Sequence, residues 1–167
     1  MTSQEYWISH LNLQHHPEGG FFRETYRAPL AIPHSALPAS FRDSRRASTA
    51  IYFLIAGEDF SALHRLAADE VWHFYAGSAL LIHCIDRSGN YSIVKLGQNP
   101  ENGEQFQCVI PAGDWFGSCL ERPDTYALVG CTVAPGFDFA DFEMAQRADL
   151  LTDYPQHKDV IEKLTRR

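Results

Sequence analysis

The chain has 167 residues, of which 45% are hydrophobic and 21% are charged, and its formal net charge is −7. This length and composition are typical of one soluble globular domain, which we expect to span residues 1–167. The 14 basic and 21 acidic residues argue against a nucleic-acid groove or an anionic-membrane surface, because both need clustered lysine and arginine. We therefore expect neither nucleic acid nor a membrane as a partner.

Cysteine spacing and the N-terminus bear on redox chemistry and location. The four cysteines contain no Cys-x-x-Cys pair, so neither a thiolate zinc site nor a thioredoxin-type motif is expected. Three of them lie in apolar runs and are interpreted as buried thiols: Cys84, Cys108 and Cys131. No signal peptide is visible and no apolar run reaches membrane-spanning length. These features predict a cytoplasmic location.

The first 28 residues predict a short helix followed by a strand. Thr2 and Glu5 have the spacing of a capping box, and a helix is expected from about residue 3 to about residue 11. A strand is expected over residues 21–28. Glu24 lies on the same face of this strand as two aromatic residues, either as a solvated edge carboxylate or at the rim of a pocket.

Two segments near this strand carry histidine or arginine. His15 and His16 are adjacent in a turn, and neighbours in a strand point to opposite faces, so we do not expect them to bind one metal ion together. Residues 29–46 are expected to form a long loop. Its arginines are interpreted as a solvated patch, with contact to an anion as the alternative: Arg42, Arg45 and Arg46.

From residue 48 onward the pattern becomes a series of short apolar runs punctuated by Gly, Pro, Asn and Asp. Even spacing of this kind indicates an antiparallel sandwich or barrel, with a β core over about 21–134. A helical segment is expected over about 137–167, closing with a helix over 155–164. The strands are predicted at 48–56, 60–66, 70–76, 80–86, 91–96, 106–111, 115–121 and 125–134.

The stretch from residue 57 to residue 77 resembles the first cupin signature. His64 and Glu70 occupy a histidine and the glutamate of that signature, between two glycines. If the two strands that carry them pair, the imidazole and the carboxylate can point into one interior. Residues 111–116 resemble the turn of the second cupin signature.

One small group, cupin family five, is more closely similar and has no established activity. The similar segments are 17–25, 60–65, 69–77 and 133–139, and together they cover most of residues 15–142. The resemblance implies an all-β fold, the double-stranded β-helix or RmlC-like jelly roll, with a short N-terminal helix and C-terminal helices. It also implies a homodimer, for which residues 18–26 are the candidate segment of strand exchange.

The same resemblance bears on cofactors. A metal-binding cupin supplies three histidines and one glutamate, but Leu66 and Phe116 stand where two of those histidines would be. Two remaining ligands hold a transition metal weakly, so no cofactor is expected. If a divalent metal binds, its ligands would be His64 and Glu70.

His64 and Glu70 are interpreted as a catalytic pair, because a carboxylate beside an imidazole fixes its tautomer and supports general-base chemistry. Alternatively, the pair is a satisfied polar core without a ligand. Side chains expected to bind a ligand next to the pair are Tyr52, Trp72, Phe116, Tyr126 and Glu24.

Three functions remain open at this stage. The first is binding of a small polar or carbohydrate-like ligand, with metal-independent isomerase or epimerase chemistry. The second is non-catalytic binding or sensing of a small molecule. The third is a metal-dependent enzyme of dioxygenase or isomerase type.

Overall fold

The computed structural model describes residues 3–166. Its helices are α1 (Gln4–His10), α2 (Arg147–Asp153) and α3 (Lys158–Lys163), and 3-10 turns lie at His34–Ala36, Pro100–Asn102, Phe139–Asp141 and Pro155–His157. The strands are β1 (Gln14–His15), β2 (Phe21–Arg27), β3 (Ala31–Ile32), β4 (Arg45–Arg46), β5 (Thr49–Ala56), β6 (Phe60–Arg65), β7 (Asp69–Gly77), β8 (Leu80–Ile85), β9 (Tyr91–Leu96), β10 (Gln107–Ile110), β11 (Trp115–Leu120), β12 (Tyr126–Ala134) and β13 (Glu143–Met144).

The strands form two antiparallel sheets and a small ribbon. The first sheet has the order β1-β2-β5-β12-β7-β10, the second has the order β13-β6-β11-β8-β9, and β3 pairs with β4. A single apolar core contains residues of both sheets, among them Phe53 and Trp72 from the first and Ile82 and Phe116 from the second. The all-β jelly-roll prediction is therefore confirmed, with two sheets packed around one core.

Side-chain alternation explains why the helices lie where they do. Phe53 belongs to the core between the sheets, whereas its neighbour Leu54 belongs to a separate cluster with residues of α1, as expected for successive residues of a strand. On the second sheet, Leu63 packs with Leu150 of α2 and Ile161 of α3. The helices thus cover the outer faces of the two sheets and leave the interior to the strands.

The first and last helices are slightly shorter than predicted. Ser3 is the N-cap of α1, and its Oγ accepts a hydrogen bond from the backbone N–H of Tyr6 at 3.3 Å. Thr2 lies outside the described residues, so its part in a capping box stays a prediction. The closing helix predicted at 155–164 begins instead with a 3-10 turn and continues as α3.

The segment 29–46 is more ordered than the predicted loop. It holds the β3–β4 ribbon, and Arg45 is buried rather than part of a solvated patch. Its guanidinium makes two 2.6 Å hydrogen bonds to the carboxylate of Asp141.

No helix among residues 3–166 is long and apolar enough to cross a membrane. The assignment of residues 1–167 to one domain stays a prediction.

Candidate functional site

A cavity of about 190 Å³ lies between the two sheets and contains both residues of the predicted pair. His64 is on β6 of the second sheet and Glu70 is on β7 of the first. The two strands therefore do not pair with each other, so the condition under which the sequence placed both side chains in one interior is not met. Because they lie in opposite sheets and side chains point inward from both, the imidazole and the carboxylate still line the same cavity.

A second carboxylate, that of Glu18, enters the cavity from the turn between β1 and β2. Its backbone carbonyl accepts a hydrogen bond from Ala62 N at 2.8 Å, which ties the turn to β6. Gly19 has a φ of +115°, and a Cβ at this position would collide with the carbonyl oxygen of Phe60. Only glycine tolerates this approach without strain, so the Glu-Gly-Gly sequence fixes where the glutamate points.

Glu18, rather than Glu70, is the carboxylate in contact with His64. Nε2 of His64 lies 3.1 Å from Oε2 of Glu18, and Nδ1 lies 2.7 Å from the carbonyl oxygen of Ala62. A carbonyl oxygen only accepts, so Nδ1 of His64 carries a proton and donates it. In a neutral imidazole Nε2 is then an acceptor, and an ionised carboxylate offers only acceptors as well. Two acceptors 3.1 Å apart repel each other, so this contact is favourable only when the pair carries one further proton.

Burial governs the ionisation of this pair. Both side chains are almost completely buried. Desolvation raises the pKa of Glu18 to about 7, against lowering effects from His16 and from the Ser61 hydroxyl, which donates to Glu18 Oε1 at 2.9 Å. Desolvation also lowers the pKa of His64, because burial penalises the charged form of either group. Both shifts favour the neutral forms, and a pKa near 7 for Glu18 lets the pair give up and regain its shared proton around neutral pH.

Glu70 is the third buried ionisable group in the cavity. Trp72 Nε1 donates a hydrogen bond to Glu70 Oε2 at 3.0 Å. Desolvation raises the pKa of Glu70 to about 7, and the proximity of His64 opposes this rise. A carboxyl group with a pKa near neutrality can both accept and return a proton at physiological pH.

The remaining walls are mainly apolar and include five aromatic side chains, and the rim is polar. Phe22, Phe53, Trp72, Phe137 and Phe139 line the cavity. At the exposed rim, the guanidinium of Arg27 donates to both carboxylate oxygens of Glu24, at 3.0 and 2.7 Å. The rim guanidinium is thus already occupied by a carboxylate of the same strand.

Three of the five predicted ligand-binding residues do not line this cavity, which corrects the sequence-based expectation. Phe116 lies behind His64, with ring centroids 4.2 Å apart. Tyr52 stacks edge-on against Tyr75, and the hydroxyl of Tyr126 accepts a hydrogen bond from Trp7 on the α1 side. The other two predicted residues, Trp72 and Glu24, do line the cavity.

The contribution of the β1–β2 turn was not predicted from the sequence. Glu18 and His16 both line the cavity, and Nδ1 of His16 accepts a hydrogen bond from the backbone N–H of Glu18 at 3.2 Å. Desolvation lowers the pKa of His16, and Glu18 partly opposes this effect. A carboxylate followed by two glycines, just before a predicted strand, was the available signal, since such glycines permit a close backbone approach.

The donor set does not fit a metal ion of the kind that metal-binding cupins hold. Both ring nitrogens of His64 are engaged, by Ala62 and by Glu18. Leu66 lines the cavity and Phe116 packs on the imidazole, and neither brings a lone pair. Within residues 3–166, no group of three or more His, Cys, Asp or Glu side chains is arranged to hold a metal. We therefore derive no chemical step through a metal.

Comparison with known proteins identifies relatives of the whole chain. A solved structure of protein SO0799 from Shewanella oneidensis is similar, with a TM-score of 0.90, 41% identity and coverage of 99% of both chains. A hypothetical protein from Leishmania major gives 0.88, 36% and again 99% of both chains. The uncharacterized protein YML079W of Saccharomyces cerevisiae is 29% identical over 90% of this chain and 79% of its own length.

A more distant likeness concerns the fold alone. Oxalate decarboxylase from Bacillus subtilis gives a TM-score of 0.55 at 14% identity, over 90% of this chain and 36% of that one.

The family model Cupin_5, described as "Cupin superfamily (DUF985)", matches residues 5–145. The chain therefore belongs to the Cupin_5 family of the cupin superfamily.

Proposed function

We propose that this cupin binds a small polar, carbohydrate-like ligand in the cavity between its sheets and isomerises it by proton transfer without a metal. The observation that carries the proposal is the presence of Glu18, His64 and Glu70, all buried, around one cavity. Three buried ionisable side chains are costly unless they are paired or used. The epimerase chemistry expected from the sequence belongs to the same class of proton-transfer reaction.

The contacts of His64 support a different role from the one expected from the sequence. Its Nε2 faces Glu18 and its Nδ1–H is donated to Ala62, so the ring offers no free lone pair to a ligand. The Glu18–His64 pair holds one proton and serves as the general acid. Glu70 holds an acceptor oxygen beside the hydrogen bond from Trp72 and serves as the general base.

The proposed step is an enolisation that conserves atoms and electrons. Glu70 removes a proton from the carbon next to a carbonyl group, and the electron pair of that C–H bond forms the carbon–carbon double bond of an enol. The carbonyl oxygen takes the shared proton of the Glu18–His64 pair. When the carbon that loses the proton also carries a hydroxyl, the enol is an enediol. The Glu18–His64 pair then takes the proton of that hydroxyl, whose oxygen becomes the new carbonyl, and Glu70 returns its proton to the former carbonyl carbon, which completes the isomerisation.

Cavity size and charge limit the part of the ligand that enters. About 190 Å³ is below the roughly 300–1,000 Å³ of sites that hold drug-sized molecules, which favours a fragment no larger than a monosaccharide. The rim guanidinium of Arg27 is already paired with Glu24, and the interior holds two carboxyl groups. An uncharged polyol or carbonyl compound fits this environment better than an anion.

Deuterium exchange tests the proposal even when the product is not identified. Glyceraldehyde, dihydroxyacetone, erythrose and xylose would be incubated with the protein in D₂O, and the loss of the C–H signal next to the carbonyl followed by ¹H NMR. We expect protein-dependent exchange with at least one of them. Glu70→Gln should slow it about 100-fold or more, the usual contribution of a general base, whereas the exposed control Glu58→Gln should not.

Other outcomes separate the alternatives. Shifts of the Trp72 indole signal on ligand addition, without exchange, would replace catalysis by non-catalytic binding or sensing. No exchange and no shift with any compound would overturn the proposal. Stoichiometric metal in the purified protein would favour the metal-dependent alternative. The homodimer and the cytoplasmic location stay predictions; sedimentation at micromolar concentration tests the first, and a monomer would contradict it.

A further inference from the structure

A second, larger groove of about 600 Å³ adjoins the candidate site and has no part in the proposed chemistry. Leu66 and Phe139 line both the groove and the cavity, so the two spaces adjoin at these two side chains. Unlike the cavity, the groove is lined by several guanidinium groups. Its charged and polar lining residues are Ser40, Arg42, Arg65, Arg87, Asp141 and Glu143.

The carboxylates of the groove are already neutralised. Asp141 is held by the buried Arg45 through two hydrogen bonds of 2.6 Å. Glu143 is held by Arg65, at 2.7 and 3.0 Å, and the Arg65 guanidinium also lies over the Trp115 ring. The acidic residues of the groove are therefore already paired and do not compete with a ligand anion for the other guanidinium groups.

Two guanidiniums remain available. Among residues 3–166, Arg42 and Arg87 make no ion pair within 4 Å, and both side chains are exposed. Arg87 is directed towards the groove wall, because it donates to the carbonyl of Ala112 and packs against Gly113. It also opposes the burial-induced rise in the pKa of Asp114, so Arg42 is the less committed of the two charges.

We propose that this groove is an oxyanion subsite, and that it binds a phosphoryl or carboxylate group carried by the ligand whose uncharged end occupies the cavity. The inference rests on the proposed function for the location of that uncharged end. The proposal follows from the different charges of the cavity and the groove. An anionic substituent finds no unpaired cation in the cavity, whereas in the groove it meets Arg42 and Arg87. Guanidinium groups suit such oxyanions because they donate two parallel hydrogen bonds.

Titration with inorganic phosphate and with acetate, followed by ¹H–¹⁵N NMR, tests the subsite alone. We expect phosphate to shift the amides of Gly113 and Ala140, and Arg42→Ala to weaken binding about tenfold, the usual effect of losing a charge-assisted hydrogen bond. Arg122→Ala, which removes an exposed arginine outside the groove, is the matched control. If acetate binds as tightly as phosphate, the subsite takes a carboxylate; if phosphate binds tighter, it takes a phosphoryl group.

A paired comparison tests the link to the cavity. Erythrose 4-phosphate should bind at least tenfold more tightly than erythrose, and Arg42→Ala, but not Arg122→Ala, should remove that advantage. Phosphate binding that is absent, or equal in wild type and Arg42→Ala, overturns the subsite, and so does an equal affinity for the two sugars. Failure of deuterium exchange while the Arg42-dependent advantage persists would refute the isomerase proposal but not this one.

Discussion

Replacement of Glu70 by glutamine should remove a specific part of the pH dependence of stability. The buried carboxyl has its pKa raised from 4.5 to about 7, mainly by desolvation. The folded state therefore holds this proton more strongly than the unfolded state. The stability contributed by the neutral group is complete below about pH 4.5, and it is lost as the pH rises through 7.

The size of the effect follows from the same two pKa values. At about 1.36 kcal/mol for each pH unit between them, ionisation of Glu70 lowers the free energy of unfolding by about 3 kcal/mol between pH 4.5 and pH 8. The glutamine side chain of the Glu70→Gln variant keeps an oxygen that accepts from Trp72 Nε1 but cannot ionise. The loss of stability over this range should therefore be about 3 kcal/mol smaller in the variant than in the wild type.

Urea denaturation followed by circular dichroism at several pH values from 4.5 to 8 measures this difference. Glu18, His16 and His64 titrate in both proteins, so only the difference between the two pH profiles reports on Glu70. The exposed control Glu58→Gln should reproduce the wild-type profile. A Glu70→Gln profile as steep as that of the wild type would refute the raised pKa of the buried Glu70 carboxyl.

Two further predictions concern the residues that hold the site in place. Asp141→Ala leaves the buried guanidinium of Arg45 without its carboxylate and should lower the free energy of unfolding, measured by urea denaturation, by about 3–5 kcal/mol. Glu143→Ala breaks an exposed pair and should lower it by less than about 1 kcal/mol. Equal losses for the two variants would contradict the burial argument. Gly19→Ala forces a Cβ against the carbonyl of Phe60 and should cost about 3 kcal/mol or more. Gly103→Ala, with φ +73° and open space around it, should cost only about 1 kcal/mol, and similar losses for the two glycines would show that the β1–β2 turn relaxes freely.

The strands of this fold were accessible from the sequence because each is a short apolar run bounded by turn residues. The strand predicted at 91–96 is β9 as found, and those predicted at 60–66 and 70–76 differ from β6 and β7 by at most one residue at either end. The pairing of these strands could not be predicted from the sequence. The sequence leaves open whether consecutive strands share a sheet, and the bend between β6 and β7 in fact crosses from one sheet to the other.

Only part of the site could be predicted from the sequence, again because long-range pairing is not visible in it. His64 and Glu70 stand in a recognisable signature, but the partner of His64 is Glu18, 46 positions earlier in the chain. The Glu-Gly-Gly sequence indicates a close backbone approach but not the partner, because docking of the β1–β2 turn on β6 is a long-range contact. Tyr52 and Tyr126 were wrongly expected to line the cavity. A one-residue step along a strand exchanges its inner and outer faces, so the sequence did not show which way these side chains point.

The proton shared by Glu18 and His64 is the feature on which the proposed chemistry depends, and ¹⁵N NMR of the histidine rings at pH 7 observes it directly. We expect His64 Nδ1 to be protonated, with Nε2 either accepting from a neutral Glu18 or protonated in an imidazolium. Glu18→Gln should leave the Nδ1–H form, because the amide can donate to Nε2 but carries no transferable proton. A neutral His64 in the wild type with its proton on Nε2 and a bare Nδ1 would contradict the proposed chemistry.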